Sequence, residues 1–189
     1  TLVDFIIEQW PSVTNYSWPE KHRIGIVHRL DKDTSGLIII AKDPKTHSFL
    51  QSQFKQKTIK KNYTLLCIGQ TQEKGQIITQ TTRDKKAHNK QSMSLMSFSW
   101  QKGKTKQAIT KYKTINYFQY KNYVLSLVTA QILTGRTHQI RNHFKFIDHP
   151  LIGDQMYFNK FSKNISHELN LHRQFLHSTE IEFKLPNKK

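Results

Sequence analysis

The sequence predicts an α+β fold: a largely antiparallel mixed sheet with flanking helices. Two observations carry this. Between Ile59 and Ile132, several runs with strand propensity follow one another with short polar joins, the spacing of antiparallel neighbours rather than of crossover helices. Helical spacing, in contrast, appears only outside that run, near Thr1, after Asp43 and after Gly135. A third observation sets the point of interest. The polar cluster His28-Arg29-Leu30-Asp31-Lys32-Asp33-Thr34-Ser35-Gly36 stands directly before Leu37-Ile38-Ile39-Ile40-Ala41, an apolar run with strong strand propensity. A cluster pinned to the end of a buried strand has the rigid support that a catalytic group requires. By residue type alone it also reads as a capped turn, in which Asp33, Thr34 and Ser35 bond their own backbone.

The elements follow in order. Leu2, Phe5, Ile6 and Trp10 share a helical face, with Asp4 in the first turn where the helix dipole favours an anion. Pro11 stops that helix, and residues 11–23 read as loop. Asp43-Pro44 opens a second helix, which buries Phe49, Leu50 and Phe54 and ends near Lys57. Strands are predicted over Lys61–Ile68, Gly75–Thr82, Ser92–Trp100, Ala108–Asn116 and Tyr123–Ile132, with Arg83–Lys90 as a basic loop. Gly135 marks a tight turn, and Thr137 is the expected N-cap of a short helix whose buried face holds Ile140, Phe144 and Ile147. Residues 159–170 read as a polar loop, and Arg173–His177 with Thr179–Phe183 as paired strands. No repeat or linker divides the 189 residues, so a single domain over 1–189 is expected.

Charge narrows the partners. Thirty Lys and Arg against 13 Asp and Glu leave a net charge of +17, spread along the chain. A folded domain with that field attracts polyanions, nucleic acid first. No long apolar span or lipidation signal supports a membrane partner. The single cysteine, Cys67, excludes an internal disulfide and fits a cytoplasmic protein. No secretory signal opens the sequence. His138, His143 and His149 lie near one another, but no His-Glu-x-x-His or Cys-x-x-Cys spacing accompanies them, so no metal is expected.

Taken together, four stretches resemble the RluA-type pseudouridine synthases, in that family's order. They are His28–Gly36 with its apolar run, Lys61-Asn62-Tyr63 as a Lys-x-Tyr element, Thr134–His143 with Pro150–Asp154, and Arg173–His177. The His-Arg-Leu-Asp and Gly-Arg-Thr-His-Gln-Ile-Arg segments are long and specific. Residues 1–184 are covered. The family's N-terminal S4-type module, its first strands and its further terminal structure have no counterpart in these residues. Thr64-Leu65 replace the smaller residues usual after the Lys-x-Tyr element.

The resemblance implies the pseudouridine synthase catalytic fold with a central RNA-binding cleft. It implies an enzyme that isomerises uridine to pseudouridine in structured RNA, 23S ribosomal RNA above all, by flipping the base and attacking with an aspartate. Transfer RNA as substrate stays open, as does a catalytically impaired member that only binds RNA. A metal-dependent nuclease lacks the clustered carboxylates it would need. Nothing is oxidised and no group enters from outside, so no cofactor is expected; a monomer is.

By the same resemblance Asp31 is the nucleophile, a group ionised at neutral pH from an unperturbed pKa near ~3.9. Arg141 pairs with it, a guanidinium keeping a buried carboxylate charged. Tyr63 stacks on the extruded base or assists proton transfer at C5. Arg29 fills the space the base leaves, and Leu176 lines the uracil pocket. RNA or base contacts are further implied for His28, Thr34, Arg83, Arg136, His138 and Gln139. Phosphate contacts are expected from Lys55, Lys57, Lys60, Lys61 and the 83–90 loop.

Overall fold

In a computed structural model of the chain, residues 1–83, 91–94 and 105–186 are described. The elements are helix α1 (Leu2–Gln9), strand β1 (Ser35–Gly36), helix α2 (Pro44–Gln56), strands β2 (Lys60–Ile68), β3 (Lys74–Arg83), β4 (Gln91–Ser94), β5 (Lys106–Tyr120) and β6 (Tyr123–Ile132), helices α3 (Gln139–Phe146) and α4 (Lys160–Glu168), and strand β7 (Leu176–Glu182). The chain packs as two compact units. One comprises Thr1–Leu30, Leu37–Ile59 and the chain from Glu182; the other comprises Asp31–Gly36 and Lys60–Ile181.

The first unit holds α1 and α2. Thr1 and Asp4 form a capping box at the start of α1, which satisfies amides that a helix N-terminus leaves unpaired. Two short 3-10 turns, Pro11–Asn15 and Lys21–Arg23, lie in the stretch expected as loop. Ile6, Val13 and Trp18 form the core here, packed against by Trp10, Ile26 and Ile40. Asp43 caps α2 through the Thr46 amide, and Lys57 closes it in a left-handed conformation, so both expected ends hold. The apolar run is a correction. Leu37–Ala41 is not a buried strand: Leu37 is 49% exposed, and among the described residues the run joins no sheet, making an isolated bridge from Ile40 to Ile26. An apolar run signals a strand only where a sheet edge is free to receive it.

The second unit carries a seven-stranded sheet in the order β1-β7-β2-β6-β5-β3-β4. The β2–β6, β6–β5, β5–β3 and β3–β4 pairs are antiparallel; β1 runs parallel to β7 at one edge. The expected strands 61–68, 75–82, 108–116 and 123–132 lie within the observed ones. The predicted 92–100 strand is seen as Gln91–Ser94, and its remainder lies outside the described residues, as does the basic loop after Arg83. Along β2, Tyr63, Leu65 and Cys67 alternate into the interior, as the two-residue strand period requires. Ile68, Leu125, Ile152 and Ile165 close the core.

Three further expectations change. The first residue before α3 is His138, in a left-handed conformation (φ 51°), and not Thr137; it supplies no side-chain cap. Residues 160–168 are helix, not loop: Asn159 and Ser162 form its capping box, and its buried face is Ser162, Ile165 and Ser166. Those serines are inside because they have backbone partners. Ser166 Oγ accepts from the Gly153 amide at 2.7 Å and donates to Ser162 O at 2.6 Å. Finally, residues 176–182 form one strand rather than two paired segments.

Candidate active site

Asp31 opens a four-residue turn closed by the Thr34 amide on the Asp31 carbonyl at 3.1 Å, with Asp33 in the left-handed region (φ 67°). The bond that closes the turn is main chain to main chain, not the expected bonding of Asp33, Thr34 and Ser35 side chains to their own backbone, and the Thr34 and Ser35 hydroxyls meet residues far along the chain instead. Gln174 donates to Lys32 O and to Thr34 Oγ1. Immediately after the turn, Gly36 lies so close to the backbone of Ser178 that any Cβ would collide with it. That approach is what pairs β1 with β7 and sets the Asp31 turn on the sheet edge.

Tyr63 reaches the same place from β2, two strands in from β1. It is 7% exposed and pairs across the sheet with Ala130. Burial pushes its phenol up to about 12; the Ser178 hydroxyl opposes that rise and the Asp31 charge adds to it. Ser178 Oγ itself is buried with no hydrogen bond of good geometry among the described residues, so its contact with the phenol is weak. At neutral pH Tyr63 is a neutral phenol. Lys61, two residues earlier, has its pKa lowered by burial, and its amine lies against Gly135. The Lys-x-Tyr element and the Gly135 turn are thus neighbours in space.

Arg141 is the third group, on α3, and here the structure corrects the expected pairing. Its guanidinium grips Asp154 and not Asp31: Nε donates to Oδ2 at 2.6 Å and Nη2 to Oδ1 at 2.8 Å. The Asp154 side chain is fully buried and also accepts from the Met156 and Tyr157 amides at 2.8 and 2.9 Å. The Tyr157 ring lies over the guanidinium, 5.3 Å from its centroid. Burial alone would lower the Arg141 pKa; the Asp154 bonds and charge, with Asp31 further off, raise it overall. Asp31 thus acts on Arg141 through space. The bidentate, amide-capped Asp154 is the closer and better-satisfied partner.

The remaining expected site residues divide. Leu176 is 4% exposed at the start of β7. Thr34 is engaged by Gln174. His138 Nδ1 lies 3.2 Å from Tyr157 Oη. Arg136 is half-buried, with Nε donating to Gln107 O. Gln139 is a correction: expected to touch RNA, it is 4% exposed and bonded inward at both ends. Its Oε1 accepts from Thr134 and the Arg136 amide, and its Nε2 donates to Ile109 O and Thr110. In the first unit, Arg29 is exposed, while His28 accepts from the Ile39 amide and stacks on Phe54. The Arg83 side chain lies outside the described residues. Motif position brought out Asp31, Tyr63 and Arg141. It gave no role to Asp154 and Gln174, although both lie in matched stretches.

The histidines weighed as metal ligands face separate partners. His149 meets Ile68 O, while His143, on α3, is fully buried between Thr79 and Thr110 at 3.0 and 2.7 Å. Burial pushes His143 down to about 4. Because the folded value lies below the unfolded one near 6.5, the unfolded chain binds the proton more readily. Stability is full above pH 6.5, declines as pH falls, and levels out below pH 4. Between pH 7.5 and pH 5 the expected loss is about 2 kcal/mol. Urea titrations at the two pH values check it; a His143→Gln protein should lose most of the dependence.

A profile of the RNA pseudouridylate synthase family matches residues 10–146. The chain belongs to that family. The ribosomal large subunit pseudouridine synthase D of Borreliella burgdorferi is 40% identical over 159 residues, covering 83% of this chain and 45% of that protein. An uncharacterized RNA pseudouridine synthase of Aquifex aeolicus is 35% identical over 197 residues, covering 97% and 58%. The chain spans about half the length of these curated relatives. Among solved structures, human RNA pseudouridylate synthase domain containing 1 superposes with a TM-score of 0.78 at 22% identity, covering 98% of this chain and 69% of that one. The family resemblance and the pseudouridine synthase fold expected from the sequence therefore stand.

Proposed function

We propose that this chain isomerises uridine to pseudouridine in structured RNA, with Asp31 as the nucleophile. The observation that carries the reading is the braced Asp31 turn in a pseudouridylate synthase chain, with Tyr63 and Arg141 both within electrostatic reach of its carboxylate. Large-subunit ribosomal RNA is the substrate class to test first, because relatives such as the Borreliella protein carry that name.

The reaction breaks the bond from ribose C1′ to N1 of uracil and forms one from C1′ to C5. The C5 proton leaves and N1 gains one, so atoms balance without a co-reactant. The Asp31 carboxylate supplies the attacking pair, and the bond it forms breaks again, returning the carboxylate, by the time C5 is joined to C1′. Tyr63, a buried aromatic, offers a face on which the extruded base stacks, worth roughly 1–3 kcal/mol per base, against an unstacking cost of a few kcal/mol. Its raised pKa favours that role, and proton donation, over direct base catalysis. Arg141, held by Asp154, contributes a fixed positive charge near the reacting carboxylate. The net charge of +17 draws the phosphate backbone.

Tritium release tests the proposal. The chain is incubated with unmodified large-subunit ribosomal RNA labelled at uridine C5, and release is followed with time. Catalytic release supports the proposal; tight RNA binding with no release overturns it.

A further inference from the structure

Resting on the assignment of Asp31, we propose that Gln174 is a positioning residue for the reaction: its carboxamide holds the Asp31 turn. The side chain is 3% exposed. Its Nε2 donates to Lys32 O at 2.7 Å and to Thr34 Oγ1 at 2.9 Å, so both amide hydrogens are spent on the residues just after Asp31. Its neighbour adds to this from outside. Arg173 Nη1 lies 3.4 Å from Asp33 O and 3.3 Å from Ser35 Oγ, and Ser35 Oγ lies 2.8 Å from His177 Nδ1.

The segment that carries Gln174 is itself tightly held. Phe175 donates its amide to Ile152 O at 2.8 Å and accepts from the Leu66 amide at 3.2 Å. The Arg173 carbonyl lies so close to Gly153 (φ 79°) that a Cβ there would collide with it. The residue after Gly153 is Asp154, the partner of Arg141. One short segment therefore meets the Asp31 turn through Gln174 and the Asp154 loop through Arg173 and Phe175. It sets the carboxylate and the guanidinium in one frame. Geometry of this kind governs rate, because a misplacement of about 1 Å at a reacting group costs on the order of 10²-fold.

Gln174→Ala, Gln174→Glu and Thr34→Val proteins test this under single turnover with saturating enzyme, beside Asp31→Asn. Gln174→Ala should react ~10²-fold more slowly, with RNA affinity within about twofold of the parent. Gln174→Glu carries the sharper signature. An ionised carboxylate cannot donate to Lys32 O, whereas a protonated one can. Its rate relative to the parent should therefore climb as pH is lowered, and that of Gln174→Ala should not. A Gln174→Ala protein that reacts at the parent rate, or a Gln174→Glu profile parallel to the parent's, overturns the proposal. If Gln174→Ala does not fold, Thr34→Val decides, since it removes one of the two acceptors; an unchanged rate overturns it. Activity retained by Asp31→Asn removes the underlying assignment instead, so the two failures are distinguishable.

Discussion

Replacing Asp31 with Asn is expected to abolish tritium release, by at least ~10³-fold, with RNA binding intact. The substitution keeps the side-chain shape and removes the attacking charge. The turn should survive it, because the closing bond runs from the Thr34 amide to the Asp31 main-chain carbonyl. Gln174 likewise bonds Lys32 and Thr34, not the carboxylate. A mutant that melts like the parent, binds RNA in a gel shift and releases no label isolates the chemical step. A mutant that is merely several-fold slower would place the nucleophile elsewhere.

The largest loss of stability is expected from Asp154→Ala, about 3–5 kcal/mol in urea denaturation. It strands Arg141, whose side chain is only 6% exposed, and it leaves the Met156 and Tyr157 amides without their acceptor. Against a total stability of about 5–15 kcal/mol for a domain, that is a large share. Arg141→Ala should cost less in amides but the same unpaired charge, now on Asp154. A loss under about 1 kcal/mol for Asp154→Ala would mean that water or Asp31 takes over the pairing. Activity should fall with the fold in both variants, and Asp154→Asn separates the two effects. It preserves shape and an oxygen for the amides while removing the charge that keeps Arg141 in place.

Much of the site was legible because its signals are local. Asp43 before Pro44 marks a helix start by capping chemistry within a few residues, and the helix begins there. Strands β2 and β6 show their period in their own residues. Asp31, Tyr63 and Arg141 stand out as a group through the family resemblance of the segments that hold them. The missed helix α4 shows the converse. Its buried positions Ser162 and Ser166 are polar, and of the apolar residues at helical spacing, Phe161, Ile165 and Leu169, Ile165 alone is buried, so the segment reads as a polar loop; Asn159, three residues before Ser162, is a cap without the usual acidic partner.

The fold class, the succession of antiparallel strands and the polycationic character follow from pattern, propensity and charge, which each residue carries with it wherever the chain goes. The partners of the charged groups do not. Arg141 takes Asp154, 13 residues away, and the Asp31 turn takes Gln174 from more than 140 residues away. Those choices depend on which strand lies beside β1 and how closely Gly36 and Gly153 approach it and the 173–175 segment. A buried carboxylate or amide is satisfied by whatever donor packing brings within about 3 Å, and packing is set by the assembled sheet. Residue types thus supplied the chemistry of this chain, and the sheet register supplied the pairings that hold it in place.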